Sequence, residues 1–238
     1  MKIFPVIRAT HPTLSAEHAR KALELGADGV YLIDPQSSND NKRLFTVLNN
    51  VRRQAGAEDF IGLAMHHMPG SAALYAVDRA VQSQKLGTVP NGIWVQDAKA
   101  ERKLGEARGL QRTVPRLRSV QFAAGIAFAG TVNYDSGPQK AAMDAEIHKR
   151  NIDVAVTTGD EKGRPPSIEK ITAMRARAGY IAVTGAIPAA RLSEYQYALD
   201  EYWPSEQVTD EGYLTEIITI AHELPELPDR RDWPVVRP

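Results

Sequence analysis

The chain of 238 residues carries 29 lysines and arginines against 29 aspartates and glutamates, and 43% of its residues are hydrophobic. This composition indicates a globular protein with a sizeable core, and its formal net charge of zero provides no strong positive field, so a nucleic acid is not an expected partner. Because the chain has no cysteine, disulfides, thiolate catalysis, iron–sulfur clusters and cysteine-ligated zinc are excluded.

The location of the protein is predicted from its apolar segments. The N-terminal apolar run is too short for a signal peptide. No apolar segment is long enough to span a bilayer. A cytoplasmic protein without a membrane partner is therefore expected.

Short apolar runs alternate with amphipathic segments along the chain. The predicted strands are residues 3–7, 29–34, 60–66, 92–96, 119–128, 153–158 and 180–184. The predicted helices are residues 14–25, 41–55, 71–84, 99–107, 138–149, 167–177, a segment that begins at 192–198, and 213–222. Such regular alternation is typical of a parallel sheet whose strands are connected by helices.

The two faces of the third predicted strand favour a closed barrel over an open sheet. Gly62, Ala64 and His66 share one face, which would line a narrow lumen, while the bulky residues between them would meet the helices. We therefore predict an α/β protein with a single (β/α)₈ TIM barrel over residues 1–222. The eighth strand is predicted to be weak, because residues 201–203 (EYW) are short and polar. An irregular, proline-rich tail over residues 223–238 is expected to pack on the barrel.

Two strand ends carry the features of a phosphate site. Thr158–Gly159 and Thr184–Gly185 each place a hydroxyl and an unhindered backbone N–H after a strand. In TIM barrels the phosphate site is commonly formed after strands seven and eight, whereas these strands are the sixth and seventh predicted here. The alternative is that both are ordinary turns between a strand and a helix.

The segment between residues 159 and 166 is long, charged and contains two glycines. It is interpreted as a lid that closes over a ligand, in which Lys162 and Arg164 would reach an anion. The alternative is a flexible surface loop.

Acid–base candidates lie at the carboxyl ends of the earlier strands, where TIM barrels place their functional groups. Asp34, His66 and Asp97 are the candidate catalytic residues, and Arg8 and Gln96 would orient a substrate. Each catalytic candidate has a structural alternative: a turn before Pro35 for Asp34, a helix cap for Asp97, and a hydrogen-bonded core histidine for His66.

No cofactor is predicted, and two kinds of chemistry are disfavoured. The sequence has no HxH or HExxH spacing, so a divalent metal held by Asp34, His66 and Asp97 is only a minor alternative. No lysine lies at the end of a predicted strand, which argues against Schiff-base chemistry.

The stretch of residues 153–190 resembles the BtpA family of (β/α)₈ proteins, which includes SgcQ-like members. The matching segments are TTGDEKGRPPSIEKI and VTGAIPAARLSEY, with weaker similarity in GADGVYLID, FIGLAMHH and NGIWVQD. The resemblance implies a barrel with a phosphate subsite. The chain departs from the family pattern at IDPQSSND after the second strand and at EYWPSEQ, where the family has a Val-Gly-Thr type turn.

The function predicted from these features is a TIM-barrel enzyme that acts by carboxylate and histidine acid–base chemistry. Its partner would be a small phosphorylated sugar or nucleotide of the ribosyl-phosphate type, and isomerisation, lyase chemistry and glycosidic-bond cleavage all stay open. The alternative is a non-catalytic BtpA-like assembly or regulatory factor that keeps a ligand-binding barrel. The sequence also leaves open whether the chain forms a homo-oligomer.

Overall fold

A computed structural model describes residues 1–36, 41–98, 104–128, 137–159, 164–205 and 208–225. The strands are β1 (Lys2–Ile3), β2 (Val6–Arg8), β3 (Gly29–Ile33), β4 (Phe60–Ala64), β5 (Gly92–Val95), β6 (Gln121–Gly125), β7 (Val154–Thr157), β8 (Ile181–Gly185) and β9 (Glu201–Pro204). The α-helices are α1 (Pro12–Glu24), α2 (Lys42–Gln54), α3 (Gly70–Gln82), α4 (Leu104–Thr113), α5 (Pro138–His148), α6 (Ile168–Ala178) and α7 (Glu211–Glu223). Two short 3₁₀ helices cover Pro115–Leu117 and Ala189–Tyr195.

The strands form one parallel sheet that closes on itself through the first strand of the barrel. This strand is interrupted at Pro5, so its first part, β1, pairs with β9 and its second part, β2, pairs with β3. The remaining strands pair in chain order from β3 to β9. The predicted (β/α)₈ barrel is thus confirmed, with β1 and β2 together counting as its first strand.

The predicted weakness of the eighth barrel strand was wrong. The four residues of β9 are buried and pair with β8 on one side and β1 on the other. The segment looks polar because Glu201 and Tyr202 carry polar atoms, but both residues are at most 1% exposed and their polar atoms have partners inside the protein.

Two helices differ from their predicted bounds by more than two residues. The predicted helix at residues 192–198 is the 3₁₀ helix Ala189–Tyr195, and α4 continues to Thr113 instead of ending at residue 107. The burial of Ala107 and Gln111 on one face of α4 outweighs the low helix propensity of Gly109. The first five residues of the predicted fourth helix, and the tail from residue 226, lie outside the described residues.

Aromatic side chains fill the barrel lumen. Tyr31 lies 4.2 Å from Trp203 and 6.2 Å from Trp94, measured between ring centroids, and these three side chains are at most 2% exposed. The small residues predicted to face the lumen make room for them: a Cβ atom on Gly62 would lie 2.3 Å from Cε1 of Tyr31. The lumen is therefore a packed core, and a ligand can enter only at its ends.

A repeated polar contact closes the amino-terminal rim of the barrel. The contact occurs in four places. In each, the residue just before an even-numbered barrel strand has a side-chain oxygen that accepts a hydrogen bond from a backbone N–H of the preceding odd-numbered strand. The pairs are Ile3 N to Asp28 Oδ2 (2.8 Å), Ile61 N to Asn91 Oδ1 (2.9 Å), Phe122 N to Asp153 Oδ2 (2.8 Å) and Ile181 N to Asp200 Oδ2 (2.9 Å). Each contact satisfies a backbone donor that the sheet ladder leaves open.

A basic side chain from a neighbouring helix completes each of these four contacts. The basic partners are His222 for Asp28, Arg52 for Asn91, Arg108 for Asp153 and Arg175 for Asp200. The most enclosed of the four is the Arg175–Asp200 pair, in which Nη1 lies 2.7 Å from Oδ2 and the side chains are 7% and 10% exposed. At each of these four places around the rim, the contacts join a helix, an odd-numbered strand and an even-numbered strand.

Glu201 is a carboxylate enclosed in the barrel. Its Oε2 accepts a hydrogen bond from Trp203 Nε1 at 2.8 Å, and its Oε1 accepts one from the Tyr180 hydroxyl at 3.0 Å. Burial raises the pKa of Glu201 to about 6, although these hydrogen bonds act in the opposite direction.

Because the pKa of Glu201 is higher in the folded state than its ordinary value of 4.5, ionisation of this group costs stability as the pH rises from 4.5 to above 6. The expected cost at pH 7.5 is about 2 kcal/mol. Glu201→Gln should therefore be more stable than the wild type at pH 7.5, and this advantage should shrink as the pH falls to 4.5. Urea denaturation at several pH values measures it, and an advantage that is independent of pH would contradict the assignment.

Candidate functional site

The threonines after β7 and β8 lie side by side at the carboxyl-terminal mouth of the barrel. Thr157, the last residue of β7, is the register partner of Val183, and the same register continued by one residue brings Thr158 opposite Thr184. Each threonine comes two residues after a lumen-facing residue, Val156 or Ala182, and so shares its side of the strand. These two residues belong to the inner core cluster, the buried side chains that fill the lumen: Phe4, Val6, Tyr31, Ala64, Trp94, Ala123, Phe128, Val154, Val156, Ala182 and Trp203. The register thus places the two threonines of the predicted phosphate site next to each other.

Gly185 ends β8 with open space beside it. Its φ is +126°, a conformation that side chains rarely adopt, and no atom lies within 4 Å of where a Cβ would be. The backbone is therefore accessible to a ligand here, and the glycine is required by the conformation of the turn rather than by packing.

The turn after Gly185 is held by a buried tyrosine hydroxyl. Tyr202 Oη accepts a hydrogen bond from Ile187 N at 2.8 Å, and it lies 3.0 Å from both Gly185 O and the Tyr213 hydroxyl. Tyr202 faces the outer core from β9, so it shapes the turn from behind without entering the lumen. Local spacing could not predict this role of Tyr202, because the contact joins two strand ends.

Tyr202→Phe is expected to destabilise the protein by about 1–3 kcal/mol, because it leaves the N–H of Ile187 without its described acceptor in a buried turn. If the turn binds an anion, the same change should weaken that binding. Denaturation and ligand titration measure the two effects. Tyr213→Phe is the matched control, because it removes a hydroxyl that contacts the Tyr202 hydroxyl at 3.0 Å and donates to Ile187 O at 3.3 Å in the same turn. Equal effects of the two variants would contradict the role given to Tyr202.

The other glycine of the predicted phosphate site, Gly159, is enclosed by its own loop. A Cβ at this position would lie 1.8 Å from the carbonyl oxygen of Arg164. The requirement for glycine at 159 is therefore explained by packing. Lys162, the predicted anion ligand of this loop, lies outside the described residues.

A buried lysine reaches the ends of two strands. The ammonium of Lys170 donates to the carbonyl oxygens of Ala127 at 3.0 Å and Thr158 at 2.9 Å, and the residue is 1% exposed. Lys170 belongs to α6, which is why no lysine was expected at a strand end. It links the segments after β6 and β7 and so positions Thr158.

His66 lies in the lumen-facing position predicted for it. Its ring packs edge-on against Trp94 with 4.1 Å between centroids, and it lies 6.2 Å from the ring of Phe128. Burial lowers its pKa from 6.5 to about 4, with a smaller contribution from His67, so the imidazole is neutral at pH 7. Its Nε2 and the indole nitrogen of Trp94 are buried and have no hydrogen-bond partner among the described residues.

The lowered pKa of His66 makes stability depend on pH in the acid range. The folded pKa of about 4 lies below the ordinary value of 6.5, so the stabilisation is complete above pH 6.5 and is lost as the pH falls towards 4. The loss should reach about 3 kcal/mol. His66→Gln should remove this part of the acid destabilisation. Denaturation between pH 4 and 7 tests it, and an unchanged profile in the variant would contradict burial of the ring.

The two candidate carboxylates, Asp34 and Asp97, do not share the aromatic surroundings of His66. Asp34 is 6% exposed, and its Oδ1 accepts a hydrogen bond from Gln36 N at 2.9 Å and lies 3.7 Å from Arg43 Nη1. These contacts fit the turn that was its structural alternative, although its buried Oδ2 has no partner among the described residues. Asp97 is half-buried. Side chains along a strand alternate between the lumen and the surrounding helices. This alternation puts His66 and Gln96 on the lumen side, and Asp34 and Asp97 on the side of the helices.

Arg8 and Gln96 share the lumen-facing parity at the mouth. Arg8 follows Val6 of the inner core cluster, is exposed, and forms no side-chain hydrogen bond or ion pair among the described residues. Gln96 follows Trp94 on β5, and its backbone oxygen lies against Gly125. An exposed guanidinium at the mouth is suited to an anionic ligand.

Among the described residues, no group of three or more histidines and carboxylates could hold a metal ion. In the same part of the chain, no helix has the length and apolar character that a bilayer crossing requires.

No protein-family model and no curated protein matches this sequence. Solved structures with the same fold include the tryptophan synthase α subunit of Legionella pneumophila (11% identity, 93% of this chain and 92% of the other, TM-score 0.60) and the phosphoribosyl anthranilate isomerase of Thermus thermophilus (11% identity, 94% and 100%, TM-score 0.61). A dipeptide epimerase of Enterococcus faecalis is similar over 87% of this chain and 55% of its own (14% identity, TM-score 0.54). At these identities the similarity shows that the chain has the TIM-barrel fold.

Proposed function

We propose that this chain is a TIM-barrel enzyme that binds a small phosphorylated sugar or nucleotide at the carboxyl-terminal mouth. The observation that carries the proposal is the pairing of Thr158 and Thr184 beside the open, left-handed turn at Gly185. The Thr184 hydroxyl and the accessible backbone at Gly185 can donate hydrogen bonds to phosphate oxygens. The Thr158 hydroxyl donates to the carbonyl oxygen of Gly159 at 3.2 Å and would exchange that bond for one to the ligand.

Two features of the mouth fit a small anionic ligand. Arg8 can supply positive charge, since its exposed guanidinium has no described ion-pair partner. Below it the lumen is filled by Trp94, Trp203 and Tyr31, so a ligand would lie at the mouth rather than deep in the barrel.

His66 is the proposed group for proton chemistry. A neutral imidazole can polarise a carbonyl or hydroxyl by donating a hydrogen bond, and a bound phosphate would raise its pKa towards the working pH. The buried nitrogens of His66 and Trp94 that lack described partners would then find them on the ligand. The name of one structural neighbour supports the substrate class by analogy, since phosphoribosyl anthranilate isomerase is named for a phosphoribosyl compound.

The resemblance to the BtpA family stays a prediction. The alternative of a non-catalytic factor was favoured by a degraded eighth strand, and β9 is complete. That reason for a non-catalytic barrel is therefore gone.

A thermal-shift screen against sugar phosphates, nucleotides and inorganic phosphate tests the proposal. A ligand at one hundred times its Kd should add about 2.7 kcal/mol, which raises Tm by roughly 5–11 °C at this size. The shift given by sugar phosphates should be abolished in Gly185→Asp and reduced in Thr184→Val, the second variant serving if the first does not fold. The absence of any shift with sugar phosphates, or sugar-phosphate shifts that both variants retain, would overturn the proposed site.

A further inference from the structure

A cavity lies on the outside of the barrel, between α2 and α3. The helices pack in neighbouring pairs, α1 with α2 and α3 with α4, which leaves a groove between the pairs. The groove encloses about 770 Å³, a volume within the range of small-molecule sites. Its lining residues are Asn41, Lys42, Phe45, Thr46, Ala76, Arg79, Ala80, Ser83 and Lys85.

The charge of this groove is positive. Three of the nine lining residues are basic and none is acidic, in a chain whose formal net charge is zero. Arg79 packs over the ring of Tyr75, with 5.7 Å from Cζ to the centroid, and neither Arg79 nor Lys85 forms an ion pair with another described residue. Two basic side chains thus flank the groove without a described carboxylate to neutralise them.

The wall of the groove contains a buried acceptor without a donor. Asn41 is 4% exposed and adopts a left-handed conformation, and its Nδ2 contacts Met68 Sδ at 4.0 Å. Its Oδ1 has no hydrogen-bond partner among the described residues. Because an unpaired buried acceptor is costly, this oxygen is suited to a donor on a bound molecule. Phe45 and Ala80, 8% and 3% exposed, supply an apolar surface beside it.

We infer that the groove between α2 and α3 binds a small organic phosphate of the nucleoside monophosphate class. The phosphate would lie between Arg79 and Lys85, the apolar face of the ligand against Phe45, and an amino or hydroxyl group would donate to Asn41 Oδ1. This site is separate from the mouth of the barrel and does not depend on the function proposed there.

Calorimetric titration of the full chain with adenosine 5′-monophosphate tests the inference. Arg79→Gln removes a charged contact, and Ala76→Trp fills the groove; each should weaken binding at least about tenfold. Arg150→Gln makes the same charge change on the exposed turn after α5 and should leave binding unchanged, as should Thr184→Val at the mouth. Adenosine, which lacks the phosphate, should bind at least about tenfold more weakly.

The inference is overturned if the wild type does not bind adenosine 5′-monophosphate at about 1 mM. It is also overturned if binding survives both Arg79→Gln and Ala76→Trp. Loss of binding in Thr184→Val alone would assign the nucleotide to the mouth instead, and equal affinity for adenosine would remove the role of the basic side chains.

Discussion

Gly62→Ala is expected to destabilise the barrel by about 3 kcal/mol, the upper end of the usual cost of overpacking a core. The added carbon would lie 2.3 Å from Cε1 of Tyr31 and 2.5 Å from its Cδ1. The ring cannot easily withdraw, because Trp203 lies 4.2 Å away between centroids and the Tyr31 hydroxyl donates to Gln121 Oε1 at 3.2 Å. Urea denaturation measures the loss, which should lower Tm by roughly 6–12 °C.

Gly109→Ala in α4 is the matched control for Gly62→Ala. No atom lies within 4 Å of a Cβ at Gly109, so the change should stabilise the helix by up to about 1 kcal/mol. If Gly62→Ala also stays within about 0.5 kcal/mol of the wild type, Tyr31 does not fill the lumen as described.

Asp200→Ala is expected to cost about 3–5 kcal/mol, the usual effect of breaking a buried ion pair. Asp200 Oδ2 accepts from Ile181 N at 2.9 Å and from Arg175 Nη1 at 2.7 Å, so the change removes the acceptor of a strand N–H and the carboxylate partner of a guanidinium that is 7% exposed. Chemical denaturation measures the effect.

The repeated rim contacts provide controls for Asp200→Ala. Asp28→Ala should cost less, about 1–2 kcal/mol, because its basic partner His222 is 47% exposed and Asp28 itself 29%. Asp200→Asn keeps an acceptor for the N–H, as Asn91 does on the fourth barrel strand, and should fall between the wild type and Asp200→Ala. Equal costs for Asp28→Ala and Asp200→Ala would show that enclosure of the ion pair does not decide the energy.

The fold could be predicted from the sequence because its signals are local and periodic. Alternation of small and large residues predicted that His66 faces the lumen, where its ring packs against Trp94. Glu201 and Tyr202 misled the prediction of the eighth strand, because a buried polar residue is recognised only when its partners from distant segments are known.

The candidate site could be predicted only as a set of strand ends. Local sequence patterns could not show that Lys170 reaches two strand ends from a helix, or that Tyr202 holds the turn at Gly185, because these contacts join residues 12 to 43 positions apart. The turn-forming role of Asp34 is supported by a contact of the same kind, because Arg43 comes close to Asp34 only when α2 packs against the barrel. The catalytic role of Asp97 and the substrate-orienting role of Gln96 stay predictions.

The most direct test of the central proposal is the NMR signal of the His66 imidazole during titration with ribose 5-phosphate, assigned with His66→Gln. Binding at the mouth should move this signal and raise the pKa of His66 above about 4, while His148 and His222, on helices away from the lumen, should not respond. Gly185→Asp or Thr184→Val should remove the response. Saturable binding of the sugar phosphate that leaves the His66 signal and its pKa unchanged would contradict a phosphate site at this mouth.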